Sequence, residues 1–112
     1  MITQSTPQFV VLDTNDNGAK TTELDVSICD KITVFINNKT GDTSTCVVEL
    51  QVAGALENGD SNWYMTLPDS ELTGEDCKTF DISGICWVRM IVTTPEGGTS
   101  TSNVLINRFM NA

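Results

Sequence analysis

The sequence predicts an all-β protein: a single antiparallel β-sandwich, jelly-roll-like, of about eight strands with a short N-terminal arm. Two observations carry this. Apolar and polar residues alternate with period two through segments rich in Val, Ile and Thr, the pattern of strands with one buried face. Turn-forming clusters of Gly, Asn and Asp recur every ten residues or so, the spacing of a sandwich or barrel. The length, 112 residues, fits one domain. We assign residues 1–8 to the arm and 9–112 to the sandwich.

The expected strands, in order, are Gln8–Leu12, Glu23–Ile28, Lys31–Asn37, Thr45–Ala53, Trp63–Leu67, Lys78–Ile82, Ile85–Thr93 and Ser102–Asn107. Between them, Asp13–Gly18, Asn37–Asp42, Glu57–Asp60, Ser83-Gly84 and Pro95–Gly98 supply residues that tolerate positive φ or close Asx turns. Pro68–Gly74 reads as one helical turn. Alternation assigns the core. Ile32, Val34 and Ile36 share one face of their strand, with Thr33 and Phe35 on the other. Cys46, Val48, Leu50 and Val52 form a second buried set; Cys86, Val88, Met90 and Val92 form a third. Trp87 and Arg89 then face outward or toward an interface. Asp25–Val34 and Asp81–Ile91 resemble each other at half the chain length, as do Thr43–Val47 and Ser100–Val104. Such a repeat suits two related hairpin units.

Composition excludes several functions. The chain carries 15 acidic and 6 basic residues, a formal charge of −9, and no histidine. It lacks the basic stripe that displaces counterions from nucleic acid, and its charge opposes adhesion to anionic lipid. Without histidine there is no His-based triad, general base or metal ligand. The four cysteines, at spacings of 17, 31 and 9, fit no zinc template; they read as small buried thiols. No GxSxG elbow, P-loop or GxGxxG occurs. Asp69, Glu71, Glu75 and Asp76 cluster in sequence, but without an aromatic-lined groove they read as a solvated acidic loop. We expect no enzyme. The N-terminus has neither a positive start nor an apolar run, so we expect no signal peptide and synthesis in a host cytoplasm. No segment is long and apolar enough to span a membrane.

One motif points to a metal. Asp13-x-Asn15-x-Asn17-Gly18 matches the opening of a calcium loop, which needs alternating oxygen ligands and a Gly turn. The twelfth position, where a bidentate Glu should close the site, is Leu24, with Glu23 one residue early. A plain Asx-rich turn accounts for the same residues. Calcium is the one cofactor candidate. Exposed aromatic and arginine side chains anchor interfaces; the candidates are Ile2, Phe9, Trp63, Tyr64, Trp87 and Arg89. For Trp63 the core is the commoner place in a sandwich, and Trp87 is read at an interface or rim.

Gly59-Asp-Ser-Asn-Trp-Tyr-Met-Thr-Leu67, followed by Thr79-Phe-Asp-Ile-Ser-Gly-Ile-Cys-Trp-Val-Arg-Met-Ile-Val92, a Gly turn and a last strand, resembles the second half of small β-sandwich virion proteins of tailed phages, notably capsid decoration (cement) proteins. That resemblance implies a non-enzymatic protein on the outer capsid surface, bound to the major capsid protein where capsomers meet and stabilising the shell. It also implies self-association, as a homotrimer, and a role for the arm Ile2–Phe9 in adding a strand to a neighbour. Tail, baseplate or fibre location is a variant. The same pattern is similar to discoidin-type jelly rolls, which implies glycan binding through Trp63 or Trp87.

Overall fold

The computed structural model describes residues 2–4, 7–14, 17–40, 46–54, 64–73, 75–95 and 101–111. It is all β. Ten strands are described: β1 (Ile2–Gln4), β2 (Gln8–Asp13), β3 (Leu24–Asp25), β4 (Lys31–Thr40), β5 (Val47–Ala53), β6 (Tyr64–Thr66), β7 (Leu72–Thr73), β8 (Asp76–Asp81), β9 (Trp87–Thr94) and β10 (Thr101–Asn111).

The pairing is nested. β2 lies against β10, β3 against β9, β4 against β8, and β5 against β6 and β7, all antiparallel. This is one long hairpin folded at β5–β6. Two lateral pairings, β10 with β4 and β9 with β5, roll that hairpin into two sheets. Sheet A runs β2–β10–β4–β8, with β1 continuing the β2 edge; sheet B runs β3–β9–β5–β6, with β7 continuing the β6 edge. A rolled hairpin is the jelly-roll-like solution to an antiparallel sandwich. It follows from strands that each carry one nearly continuous apolar face.

The buried faces follow the alternation. Ile32, Val34, Ile36, Val104, Ile106 and Leu12 of sheet A meet Val48, Leu50, Val88, Met90 and Val92 of sheet B, all nearly inaccessible. Burying each such side chain contributes about 1.5–3 kcal/mol. Cys29 and Cys46 join this core. None of the four cysteines forms a disulfide.

The internal repeat has a physical basis. Asp25 Oδ1 accepts from the Ser27 amide at 2.9 Å, and Asp81 Oδ1 from the Ser83 amide at 3.1 Å. Each Asx turn precedes a tight turn, closed by Cys29 N–H to Val26 O and by Ile85 N–H to Ile82 O. The first carries β3 of sheet B into β4 of sheet A; the second carries β8 of sheet A into β9 of sheet B. Gly84 occupies φ +86° in the second turn, a conformation that suits glycine. Ile28 stands at the matching position without positive φ, so the two corners share an Asx start and differ in turn type.

One element differs from the sequence reading. Pro68–Gly74 forms no helical turn among its described residues. Asp69 adopts φ 59°, and Leu72–Thr73 pair with β5 as β7. Within the stretch assigned to an N-terminal arm, Ile2–Gln4 pair with Phe109–Asn111 at the far end of β10, and Gln8 opens β2. At eleven residues, β10 is long enough to hold both segments along one edge.

Candidate functional site

The two outer faces of the sandwich carry opposite kinds of chemistry. On sheet B, Arg89 of β9 points away from the core between inward Val88 and Met90. Its register partner on β5 is Gln51, whose Oε1 accepts from Arg89 Nε at 2.8 Å. Arg89 Nη1 lies 3.7 Å from Glu23 Oε1, and its guanidinium sits 3.8 Å from the Tyr64 ring centroid. The arginine is thus held by a carboxylate, an amide and an aromatic face. Burial raises the Tyr64 phenol above its ordinary pKa, Glu23 adds to the rise, and Arg89 opposes it. The Tyr64 hydroxyl is buried and has no hydrogen-bond partner among the described residues. In the next row, Trp87 and Tyr64 are both register partners of Ala53. Ala53 is only 3% exposed although it points outward, because it lies between those two larger side chains.

On sheet A the outward positions are apolar or neutral. Register aligns Phe9 of β2, Leu105 of β10, Phe35 of β4 and Cys77 of β8 in one row across the whole sheet. Phe9 is 61% exposed, Val11 46% and Phe35 40%. The flanking rows are Val11–Asn103–Asn37 on one side and Asn107–Thr33–Thr79 on the other, with the two Thr hydroxyls hydrogen-bonded at 2.8 Å. None of these residues is charged. Among the described side chains, charge comes at the margins: Glu75 just before β8, and the Lys31–Asp81 pair.

The structure therefore divides the expected interface residues. Tyr64, Trp87 and Arg89 come together on sheet B. Phe9 lies on the opposite face, beside Val11, Leu105, Phe35 and Cys77, which sequence reasoning did not name as interface. The available clue was Phe35, an aromatic placed off the core face of its strand. Ile2 sits on the β1 edge, in register with Asn111. Trp63 lies outside the described residues, as does Asn15 of the calcium motif; Asp13 ends β2, and Asn17 is exposed. Among the described residues, no group of three or more Cys, Asp or Glu is placed to hold a metal. No described helix is long and apolar enough to cross a membrane. A cavity of about 40 Å³ opens between β2 and β3, lined by Gln8, Val10, Glu23, Leu24 and Ile106 among others. It has room for ordered water, not for a ligand needing roughly 300 Å³ or more.

No protein-family profile matches the chain, and comparison with curated proteins finds no relative. Solved structures do resemble it. The SPBc2 prophage-derived protein YomS aligns over 91% of this chain and 96% of its own, at 14% identity and a TM-score of 0.52. A structure of the disulfide-linked pili of Bacillus endospore appendages aligns over 98% of this chain and 88% of its own, at 11% identity and a TM-score of 0.53. The K3 cleaved adhesin domain of Lys-gingipain from Porphyromonas gingivalis aligns over 92% and 74%, at 11% identity and a TM-score of 0.56. At these identities the likeness is one of fold: the chain is a small β-sandwich of a kind found in prophage, pilus and adhesin proteins.

Proposed function

We propose that this chain is a non-enzymatic structural protein of a tailed-phage virion, and within that class a capsid decoration protein that binds the major capsid protein on the outer surface of the head. The observation that carries the structural role is the uncovered apolar row Phe9–Leu105–Phe35–Cys77, spanning all four strand positions of sheet A. A chain of charge −9 gains nothing in solubility from such a row; it is explained by packing against protein. The shared fold of a prophage-derived protein agrees with a phage source, and the sequence resemblance supplies the decoration role. In that role, modest contacts repeated over a symmetric lattice sum to firm attachment. The glycan-binding reading is weaker at Tyr64, where Arg89 already covers one face of the ring.

The test is density-gradient separation of the native source, following this chain by mass spectrometry. Banding with particles in fixed ratio to a shell protein supports the proposal, and imaging then separates head from tail. Recovery only as a small species at the top of the gradient refutes it. Binding to a glycan array that Trp87→Ala abolishes would replace it with the jelly-roll lectin reading.

A further inference from the structure

We propose that the outer face of sheet A is a self-association surface, on which a second copy of this chain packs face to face about a two-fold axis. The inference rests on the structural role above and names the first occupant of the apolar row.

Three observations select a second copy over another partner. The first is charge. With a net charge of −9, two copies repel wherever carboxylates meet, and sheet B presents Glu23, Asp25 and Glu49 on or beside its outer face. The three central rows of sheet A contain no charged residue. A strongly basic partner would be drawn to the acidic surfaces and would find no countercharge here. The second is chemistry that complements itself. Asn37, Thr33 and Thr79 each donate and accept hydrogen bonds, whereas the Oδ1 atoms of Asn103 and Asn107 are already buried within the chain. The amide and hydroxyls left at the surface of identical faces can satisfy one another, as a two-fold interface requires. The third is area. Four strands at about 4.8 Å spacing and nine residues at about 3.3 Å rise give a face of roughly 19 by 30 Å. That is on the order of 600 Å² before side-chain relief with the charged margins included, about half of it in the three uncharged rows, against the roughly 800 Å² per partner of a stable interface. Phe9, Val11 and Phe35 supply the apolar centre.

Pairing deepens the structural role. A pair offers the shell two copies of every remaining surface, and the second attachment becomes intramolecular.

Sedimentation velocity of the wild-type chain across a concentration series up to about 100 µM tests this. A reversible monomer–dimer equilibrium is expected. Phe35→Lys, which sets like charges against each other in the pair, should weaken it by about tenfold or more. Phe9→Lys, at an edge position already 61% exposed, should do the same without burdening the fold. Alkylating Cys77 of the folded wild-type chain with a bulky maleimide should also give monomer, while Cys77→Ser treated identically should still pair. A wild-type chain that stays monomeric overturns the proposal. So does a dimer indifferent to Phe9→Lys and the Cys77 adduct, or a trimer, which cannot bury one face against itself. A monomeric chain that still bands with particles refutes this inference and leaves the structural role standing. A dimer that depends on this face but never bands with particles does the reverse.

Discussion

Replacing Ser70 by alanine should destabilise the fold by about 2–3 kcal/mol, far more than an ordinary serine deletion. β6 pairs with β5 at Gln51–Ala53, and β7 pairs with it at Val47–Val48. Leu50 falls in the gap, with no strand residue to accept from its amide. Ser70, fully buried, closes the gap: its Oγ accepts from Leu50 N–H at 3.0 Å and donates to Leu67 O at 2.6 Å. Leu67 N–H in turn donates to Leu50 O at 2.8 Å. Alanine leaves the Leu50 amide orphaned inside the sandwich, at about 1–3 kcal/mol, and removes a second bond of about 1 kcal/mol. For a domain of this size the melting temperature should fall by roughly 10 °C. Thermal unfolding by circular dichroism, with urea midpoints at 25 °C, gives the number. The opposite edge of the same row offers an isosteric check. Met90, the register partner of Leu50, donates its amide to Thr21 Oγ1 at 2.9 Å. Thr21→Val keeps the shape, removes that acceptor and should cost about 1–2 kcal/mol. Three strand spacings, about 14 Å, separate the two sites, so the double variant should add to within about 0.5 kcal/mol. A loss under about 0.5 kcal/mol for Ser70→Ala would show that water reaches the Leu50 amide, and the hydroxyl splice would be refuted.

Two further predictions concern titration. Asp25 and Asp81 are held below their ordinary pKa of 3.8, Asp25 by the Ser27 amide and hydroxyl and Asp81 by those of Ser83. A depressed carboxyl stabilises the fold above its unfolded pKa, and that stability is lost as pH falls through the folded pKa. Urea midpoints measured from pH 6 down to about pH 3 should therefore fall. The pair Asp25→Asn and Asp81→Asn, which keeps each Oδ1 acceptor but cannot titrate, should flatten that limb; an unchanged slope would refute the assignment. The chain's single tyrosine, Tyr64, should ionise above the ordinary value of 10.0 because it is buried and faces Glu23. Absorbance at the phenolate band, with circular dichroism confirming the fold, reads this directly. Glu23→Gln should bring the midpoint down, and an ordinary midpoint in the folded wild type would refute the packing drawn for Tyr64.

The strands were legible because alternation is local. All eight expected segments contain a strand, and the inward sets on β4, β5 and β9 match the burial, with Cys86 and Val52 only partly covered. β1 and β7 were not legible as strands, since two or three residues carry no period. Ser70 and Thr21 were missed for a related reason. A hydroxyl beside a turn reads as turn chemistry, and its role as acceptor for a distant strand depends on where pairing stops. The sheet A row shows the same limit. Alternation put Phe35 on the outer face, but only the register brings it beside Leu105, Phe9 and Cys77. Sequence tells which way a side chain points along a strand; it does not tell what stands next to it across the sheet.

The contrast between the two outer faces turns that limit into a functional argument. Arg89 on sheet B is engaged from three sides by Glu23, Gln51 and Tyr64, and Trp87 and Tyr64 flank Ala53. The interface candidates there are thus occupied by their own neighbours, and a partner would have to break those contacts before making new ones. On sheet A, Phe9, Val11 and Phe35 leave 61, 46 and 40% of their surface in water. At about 25 cal/mol per Å², covering them is a gain against which little has to be broken. Of the residues suggestive of binding in the sequence, Tyr64, Trp87 and Arg89 are therefore ones that stabilise the sandwich, whereas Phe9 belongs to the open face. The face best suited to a partner is built from residues whose importance appears only when four strands from both ends and the middle of the chain are laid side by side.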